Sequence, residues 1–252
     1  MTNEIKIGNK TFKYAISGES NKTFVIFPGA GEDIASNRRF FQYYSKKYKT
    51  ILFEYNNVSS VDVFFKLVET VLDKEGVKNF SLYGMSLGGF LAQAYARRAT
   101  NVDKLILSHT GSFRAGFTKR KIGLLLGVGK IVPVVPEKLV KVCVKNFAGP
   151  VQGVPGSKIP ELCALYNKDY LKSLLLLIDD VRKDELTFEL TEISNVQTLI
   201  IRSMDDPLLR DEGILLKYFP NSNECHFSGA GHATPFVQFE RFTEEIDKFL
   251  SS

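Results

Sequence analysis

The segment that decides the fold is Tyr83-Gly84-Met85-Ser86-Leu87-Gly88-Gly89, in which a serine lies within a Gly-x-Ser-x-Gly pattern. A short apolar run precedes it and an alanine-rich, helix-forming stretch follows it, so we predict a strand, a tight turn and a helix in succession. A serine on such a turn has a strained backbone, and glycine at the flanking positions avoids steric clashes. The context favours a nucleophilic Ser86 over the alternative of an ordinary glycine-rich connection.

Strand and helix patterns alternate on both sides of this segment. The predicted strands are apolar runs bounded by turn residues, at residues 23–27, 50–55, 80–83, 104–108, 197–202 and 223–227. Helical periodicity appears at residues 61–72, 87–97 and 236–250. The regions around Ile5 and residues 11–16 are typical of an antiparallel hairpin at the sheet edge. We therefore predict an α/β fold with a mostly parallel, doubly wound sheet of about eight strands.

The alternation stops near Gly111 and resumes near Asn195. The residues between them are helix-prone, rich in Leu, Val, Lys and Gly, and interrupted by five prolines. We interpret residues 112–194 as a helical cap inserted into a core formed by residues 1–111 and 195–252.

Charge and composition disfavour several classes of protein. The net charge is +5, but residues 114–145 alone carry eight lysines or arginines and one acid, so the rest of the chain is slightly negative. This basic stretch is interleaved with Leu and Val rather than with aromatic residues that stack on bases, which disfavours a nucleic-acid binder. No apolar run approaches the roughly 18 residues of a membrane span, so an integral membrane protein is not expected.

The cysteines and the N-terminus indicate a cytoplasmic protein without a metal site. Cys143, Cys163 and Cys225 are widely spaced, which makes a disulfide framework or a structural zinc site improbable. The first residues alternate between polar and apolar and lack the apolar region of a secretory signal.

A nucleophilic serine needs a base, and the chain has three histidines. His232 is in a glycine-rich loop between the last predicted strand and the last helix, and it is the first choice. His109 follows a central strand and could line a pocket. His226 lies within a predicted strand, where we expect it to be packed.

The base needs an acid, and the transition state needs hydrogen-bond donors. Asp205 and Asp206 follow the strand at residues 197–202, and either could serve. The backbone N–H groups of Ala30 and Leu87 are the candidate oxyanion hole. Pocket candidates beside them are Gly29, Met85 and His109.

Taken together, these segments resemble an α/β-hydrolase-fold serine hydrolase along the whole chain. The matching segments are residues 27–31, 84–89, 199–207 and 229–232. The resemblance places the acid at Asp206, in the chain order Ser86, Asp206, His232. Two positions depart from the pattern: Pro28-Gly29 replaces the His-Gly of many relatives, and Ser203 replaces a glycine. Residues 86–93 and 52–55 are more narrowly similar to maspardin-type members, a branch in which the triad is not always intact.

The resemblance implies acyl transfer to water with no metal or organic cofactor. Epoxide hydrolases and haloalkane dehalogenases of this fold use an aspartate where this chain has Ser86, so a small or medium ester or thioester is the expected substrate. The alternative is a catalytically weak protein that uses the fold as a binding scaffold. The basic, apolar stretch at residues 119–135 could touch an anionic membrane or an acidic substrate, but we favour a cap helix with its lysines in solvent.

Overall fold

The computed structural model describes residues 2–8, 10–129, 167–189 and 195–252, together with Pro136, Lys138 and Val142. Its strands are β1 (Thr2–Ile7), β2 (Lys10–Ser17), β3 (Thr23–Phe27), β4 (Lys49–Glu54), β5 (Phe80–Met85), β6 (Val102–Ser108), β7 (Gln197–Ser203) and β8 (Ser222–Phe227). Its helices are α1 (Arg38–Tyr44), α2 (Val61–Lys74), α3 (Leu87–Ala96), α4 (Gly116–Gly129), α5 (Lys168–Thr187), α6 (Ile214–Tyr218), α7 (Thr234–Val237) and α8 (Phe239–Ser251). A 3₁₀ turn at Gly231–Ala233 precedes α7.

The strands form one eight-stranded sheet in the order β1-β2-β4-β3-β5-β6-β7-β8. The pairs β1–β2 and β2–β4 are antiparallel, and all the others are parallel. Every residue of β3 is buried, as expected of a strand covered on both faces. The predicted α/β fold, mostly parallel sheet and edge hairpin are confirmed.

Helices cover both faces of the sheet. One apolar cluster joins the sheet to α2, α3 and α5, and includes Phe64, Leu91 and Leu177. The other joins the opposite face to α1 and α8, and includes Phe41 and Phe242. The sequence placed the last helix from residue 236, whereas α8 begins at Phe239 because Gln238, with φ −111° and ψ 42°, interrupts the helical backbone.

Strand order creates a crevice at the carboxyl ends of β3 and β5. These two strands are neighbours, but β4 comes between them in the chain and pairs on the other side of β3. After β3 the chain passes to α1 on one face, and after β5 it passes to α3 on the other. Ligands of open α/β sheets bind at such a reversal of strand order.

Helix α5, in the segment between β6 and β7, is tied to the core near its C-terminal end. The buried Glu185 carboxylate accepts hydrogen bonds from Ser112 Oγ, from Phe113 N (3.0 Å) and from Tyr218 Oη (3.1 Å). Asp184, the residue directly before Glu185, pairs with the guanidinium of Arg97, which caps the C-terminal end of α3, at 3.0 Å. Most of the remaining predicted insertion, including Cys143 and Cys163, lies outside the described residues.

We expect Glu185→Ala to lower the free energy of unfolding by about 3 kcal/mol, because three buried donors lose their acceptor. Urea denaturation monitored by circular dichroism measures this loss. Glu244→Ala is the matched control, since Glu244 is exposed on α8 and pairs only with Lys248 among the described residues. The control should change stability by less than about 0.5 kcal/mol, and similar effects of the two changes would contradict the role given to Glu185.

Candidate active site

Ser86 lies on a strained turn between β5 and α3. Its φ of 52° and ψ of −116° are unusual for a residue with a side chain. A Cβ at Gly84 would lie 2.5 Å from Gly88 O, and a Cβ at Gly88 would lie 2.1 Å from Phe27 O. Both positions therefore require glycine, which explains the Gly-x-Ser-x-Gly spacing physically.

Backbone contacts to β6 and its loop hold this turn. Ser86 N donates to Ser108 O at 3.0 Å, and Thr110 Oγ1 donates to Ser86 O at 2.9 Å. The Ser86 side chain is half-buried. Leu87 N belongs to the first turn of α3, whose N–H groups have no acceptor four residues earlier within the helix. Such N–H groups suit a developing anion.

Asp206 and His232 come together from loops after β7 and β8. His232 Nδ1 lies 2.7 Å from Asp206 Oδ2, and both side chains are buried. The other carboxylate oxygen of Asp206 accepts Leu208 N at 2.8 Å. Burial by itself raises the pKa of Asp206, but the hydrogen bond from His232 and the backbone donor outweigh it and hold this pKa below its usual value.

The neighbouring Asp205 has a different set of partners. Its Oδ2 accepts the N–H groups of Gly229 (3.0 Å) and Gly231 (3.2 Å), and its Oδ1 accepts Ser203 Oγ at 2.6 Å. The hydrogen bond from Ser203 is the main reason that the pKa of Asp205 is lowered. Asp205 therefore shapes the loop that carries His232, and Ser203, which departs from the usual glycine, takes part in this.

The other two histidines occupy different environments. His109 is buried with a φ of 46°, and its ring centroid lies 6.0 Å from that of His232. Its Nδ1 is 2.8 Å from Ser108 Oγ, and within the described chain its Nε2 has no hydrogen-bond partner. His226 is in β8 as predicted, but the expectation that it is packed is wrong: it is exposed, because β8 is an edge strand.

Side chains fix the loop after β3 that contains Ala30. Tyr55 Oη donates to Pro28 O, and Glu32 Oε2 accepts Gly29 N at 2.9 Å. Gly31 N donates to Tyr170 Oη of helix α5 at 2.7 Å. Burial raises the pKa of Glu32, which also accepts a hydrogen bond from Asn37. Sequence reasoning missed Tyr55, Glu32 and Tyr170; only Glu32, directly after the glycine-rich loop, offered a local signal.

The pocket candidates differ in whether they line a described cavity. His109 borders a cavity of about 290 Å³ whose lining also includes Thr110, Asp206 and Leu209. Gly29 and Met85 are buried and do not line this cavity. Within the described ranges, no group of three or more His, Cys, Asp or Glu side chains is arranged to hold a metal ion, and no helix has the length and apolar character to cross a membrane.

Burial and the proximity of His232 lower the pKa of His109 to about 4, so we expect a measurable pH effect on stability. Below about pH 6.5 this histidine becomes protonated in the unfolded chain but stays neutral in the folded chain. The free energy of unfolding therefore decreases as the pH falls from about 6.5 to 4. Urea denaturation should show that the free energy of unfolding falls between pH 7 and pH 5 by about 2 kcal/mol less in His109→Gln than in the wild type. The control is His226→Gln at an exposed position. An unchanged drop in His109→Gln would mean that this histidine is not buried as a neutral ring.

Comparisons with known proteins support the fold alone. No family model matches the chain, and no curated protein matches it in sequence. Solved structures do match. An α/β hydrolase enzyme from a Medee basin deep-sea metagenome library aligns with a TM-score of 0.79 at 15% identity, over 99% of this chain and 98% of that one. A hydrolase from Pseudomonas aeruginosa aligns with a TM-score of 0.80 at 14% identity, over 100% and 98%.

The enol-lactonase from Burkholderia xenovorans aligns with a TM-score of 0.76 at 15% identity, covering 99% of this chain and 100% of that one. None of these matches bears on the narrower resemblance to maspardin-type members, which stays a prediction. The sheet order, the extent of these alignments and the strained turn at Ser86 agree, and the chain has the α/β-hydrolase fold.

Proposed function

We propose that the chain is a serine hydrolase that cleaves a small or medium carboxylic ester or thioester through an acyl-enzyme intermediate. The observation that carries the proposal is the buried 2.7 Å hydrogen bond between His232 Nδ1 and Asp206 Oδ2. Asp206 follows β7 and His232 follows β8, so both lie beyond the carboxyl ends of the parallel strands, where the strained turn of Ser86 also lies. Ser86 is the nucleophile, His232 the base and Asp206 the acid.

The hydrogen bond to Asp206 sets the tautomer of His232. A carboxylate only accepts, so Nδ1 carries the proton and the Nε2 lone pair is left for the hydroxyl of Ser86. As Ser86 Oγ attacks the substrate carbonyl, His232 takes its proton and becomes an imidazolium that Asp206 stabilises. His232 then returns this proton to the leaving alcohol or thiol.

The N–H groups of Ala30 and Leu87 are the proposed donors to the tetrahedral oxyanion. Ala30 lies in the loop after β3 and Leu87 in the first turn of α3, so they approach the crevice from its two sides. In such sites a well-aimed donor accounts for roughly 3 kcal/mol of transition-state stabilisation. Water activated by His232 hydrolyses the acyl-enzyme in the second half of the reaction, and no step needs a metal or organic cofactor.

The substrate class is supported by the nucleophile and by one structural neighbour. The enol-lactonase with this fold is named for a cyclic ester. We propose that residues 112–194 are a cap over the crevice, which α4 and α5 would partly form, with a core of residues 1–111 and 195–252. A small-molecule substrate and a cytoplasmic location complete the proposal.

Fluorophosphonate labelling is the first test. The wild type should be labelled covalently, and Ser86→Ala should abolish labelling and the hydrolysis of p-nitrophenyl esters, because it lacks the attacking oxygen. His232→Ala should lower turnover by several orders of magnitude. Esters of graded chain length would then measure the size of the acyl site. Circular dichroism checks that the variants are folded.

If the folded wild type neither reacts with the probe nor hydrolyses any ester, the hydrolase proposal is wrong. The alternative of a binding scaffold would then be favoured, and α4 is the first surface to examine. It exposes Lys119, Arg120, Lys121, Leu124 and Leu125.

The two adjacent aspartates provide a matched pair of variants. Asp206→Asn should reduce kcat by about 10⁴, because an amide at this position favours the wrong tautomer of His232. Asp205→Asn keeps an acceptor oxygen for the loop of His232, so we expect its kcat to fall by no more than about tenfold. Steady-state kinetics with one p-nitrophenyl ester measures both. A larger loss in Asp205→Asn would reverse the assignment of the acid.

A further inference from the structure

One contact joins the loop that carries Ala30 to helix α5 in the segment between β6 and β7. Gly31 N donates to Tyr170 Oη at 2.7 Å, although the two residues are 139 positions apart in the chain. Gly31 directly follows Ala30 and has a φ of 77°, in the left-handed region that glycine adopts readily. The contact therefore fixes the peptide immediately after the proposed oxyanion donor.

Tyr170 is itself held in place from two directions. It lies in the first turn of α5, where its own N–H donates to the capping side chain of Asn167 at 2.9 Å. Its ring is buried in the apolar cluster that also contains Leu87 and Phe90 of α3. Because the ring is packed and the backbone is capped, the hydroxyl occupies a defined position relative to the loop.

The rest of α5 is anchored to the core, so Tyr170 is part of a rigid support. Asp180 Oδ2 accepts a hydrogen bond from Val61 N at the start of α2 at 2.8 Å, and Asp184 pairs with Arg97 at the C-terminal end of α3. Glu185 is the buried acceptor described above. These contacts make the position of the Tyr170 hydroxyl depend on how α5 packs against the core.

Other contacts hold the loop upstream of Ala30. Tyr55 Oη donates to Pro28 O and Gly29 N donates to Glu32, so the Pro28–Gly29 peptide is fixed at its carbonyl by the core and at its N–H by the loop itself. In the described structure, the hydrogen bond that Gly31 N donates is to Tyr170. Oxyanion donors act only when aimed within a few tenths of an ångström, and displacements near 1 Å cost about 10²-fold in rate.

We propose that Tyr170 is a positioning residue for the oxyanion hole: its hydroxyl holds Gly31 N and thereby orients the Ala30 peptide, so that the hole is complete only when helix α5 is seated on the core. The inference rests on the proposed function. It assigns to α5 a part in the chemical step, in addition to covering the substrate.

Tyr170→Phe tests the inference, because it removes the hydroxyl and keeps the packed ring. We expect kcat for a p-nitrophenyl ester to fall about tenfold with KM changed less than about twofold, since the oxyanion exists only in the transition state. Affinity for a trifluoromethyl ketone, whose adduct with Ser86 carries the same oxyanion, should fall by a similar factor. Hydrogen–deuterium exchange of the loop at residues 28–32 should become faster.

Tyr14→Phe is the matched control. Tyr14 is equally buried and its hydroxyl also makes a hydrogen bond, to Glu75 at 2.8 Å, but it lies on β2 away from the crevice. It should leave kcat, ketone affinity and loop exchange unchanged within about twofold. A purely structural role for Tyr170 would lower the melting temperature of the variant without this selective loss in kcat and ketone affinity.

The outcomes separate the two proposals. If the wild type is labelled by fluorophosphonate and Tyr170→Phe retains its kcat and ketone affinity, the positioning role is wrong and the hydrolase proposal stands. A loss confined to KM, or one equal to that of Tyr14→Phe, also overturns the positioning role. If the wild type itself shows neither labelling nor turnover, both proposals fail.

Discussion

The close approach of α3 to the sheet is the constraint on which the rest of the structure depends. At Gly88 the helix passes so near to the end of β3 that a Cβ would lie 2.1 Å from Phe27 O. This contact forces the chain to turn sharply at Ser86, whose positive φ stores strain that the surrounding hydrogen bonds must hold. The same contact brings the loop after β3 beside the start of α3, so the candidate nucleophile and both candidate oxyanion donors lie at the carboxyl ends of the neighbouring strands β3 and β5.

Two adjacent aspartates with different tasks organise the opposite side of this crevice. Asp205 accepts hydrogen bonds from backbone N–H groups in the loop of His232, whereas Asp206 accepts one from the imidazole ring itself. The first set of hydrogen bonds shapes the loop and the second orients the ring, so both aspartates determine the position of the same histidine. His109 lies close to His232, but burial keeps its ring neutral near pH 7, and so it adds no competing positive charge.

Helix α5 contacts both the core and the loop that carries the candidate oxyanion donor Ala30. Its C-terminal end is bound to the core through Glu185, and Tyr170 at its N-terminal end reaches the loop that carries Ala30. Under the proposed mechanism, a helix held at one end and in contact with the loop of Ala30 at the other would transmit its packing to the oxyanion hole. Substrate cover and transition-state stabilisation would then be physically linked in this protein.

Much of the fold could be predicted because its determinants are local. The apolar runs at 23–27 and 104–108 and the helical period of residues 61–72 depend on neighbours in the chain, and β3, β6 and α2 confirm them. The glycines around Ser86 are equally local, and the turn there confirms them. Only the tertiary structure decided three other features. These are the different partners of Asp205 and Asp206, the exposure of His226 on an edge strand, and the contact of Tyr170 with Gly31. Each depends on which strands and helices become neighbours, and residues 139 positions apart carry no local signal of their contact.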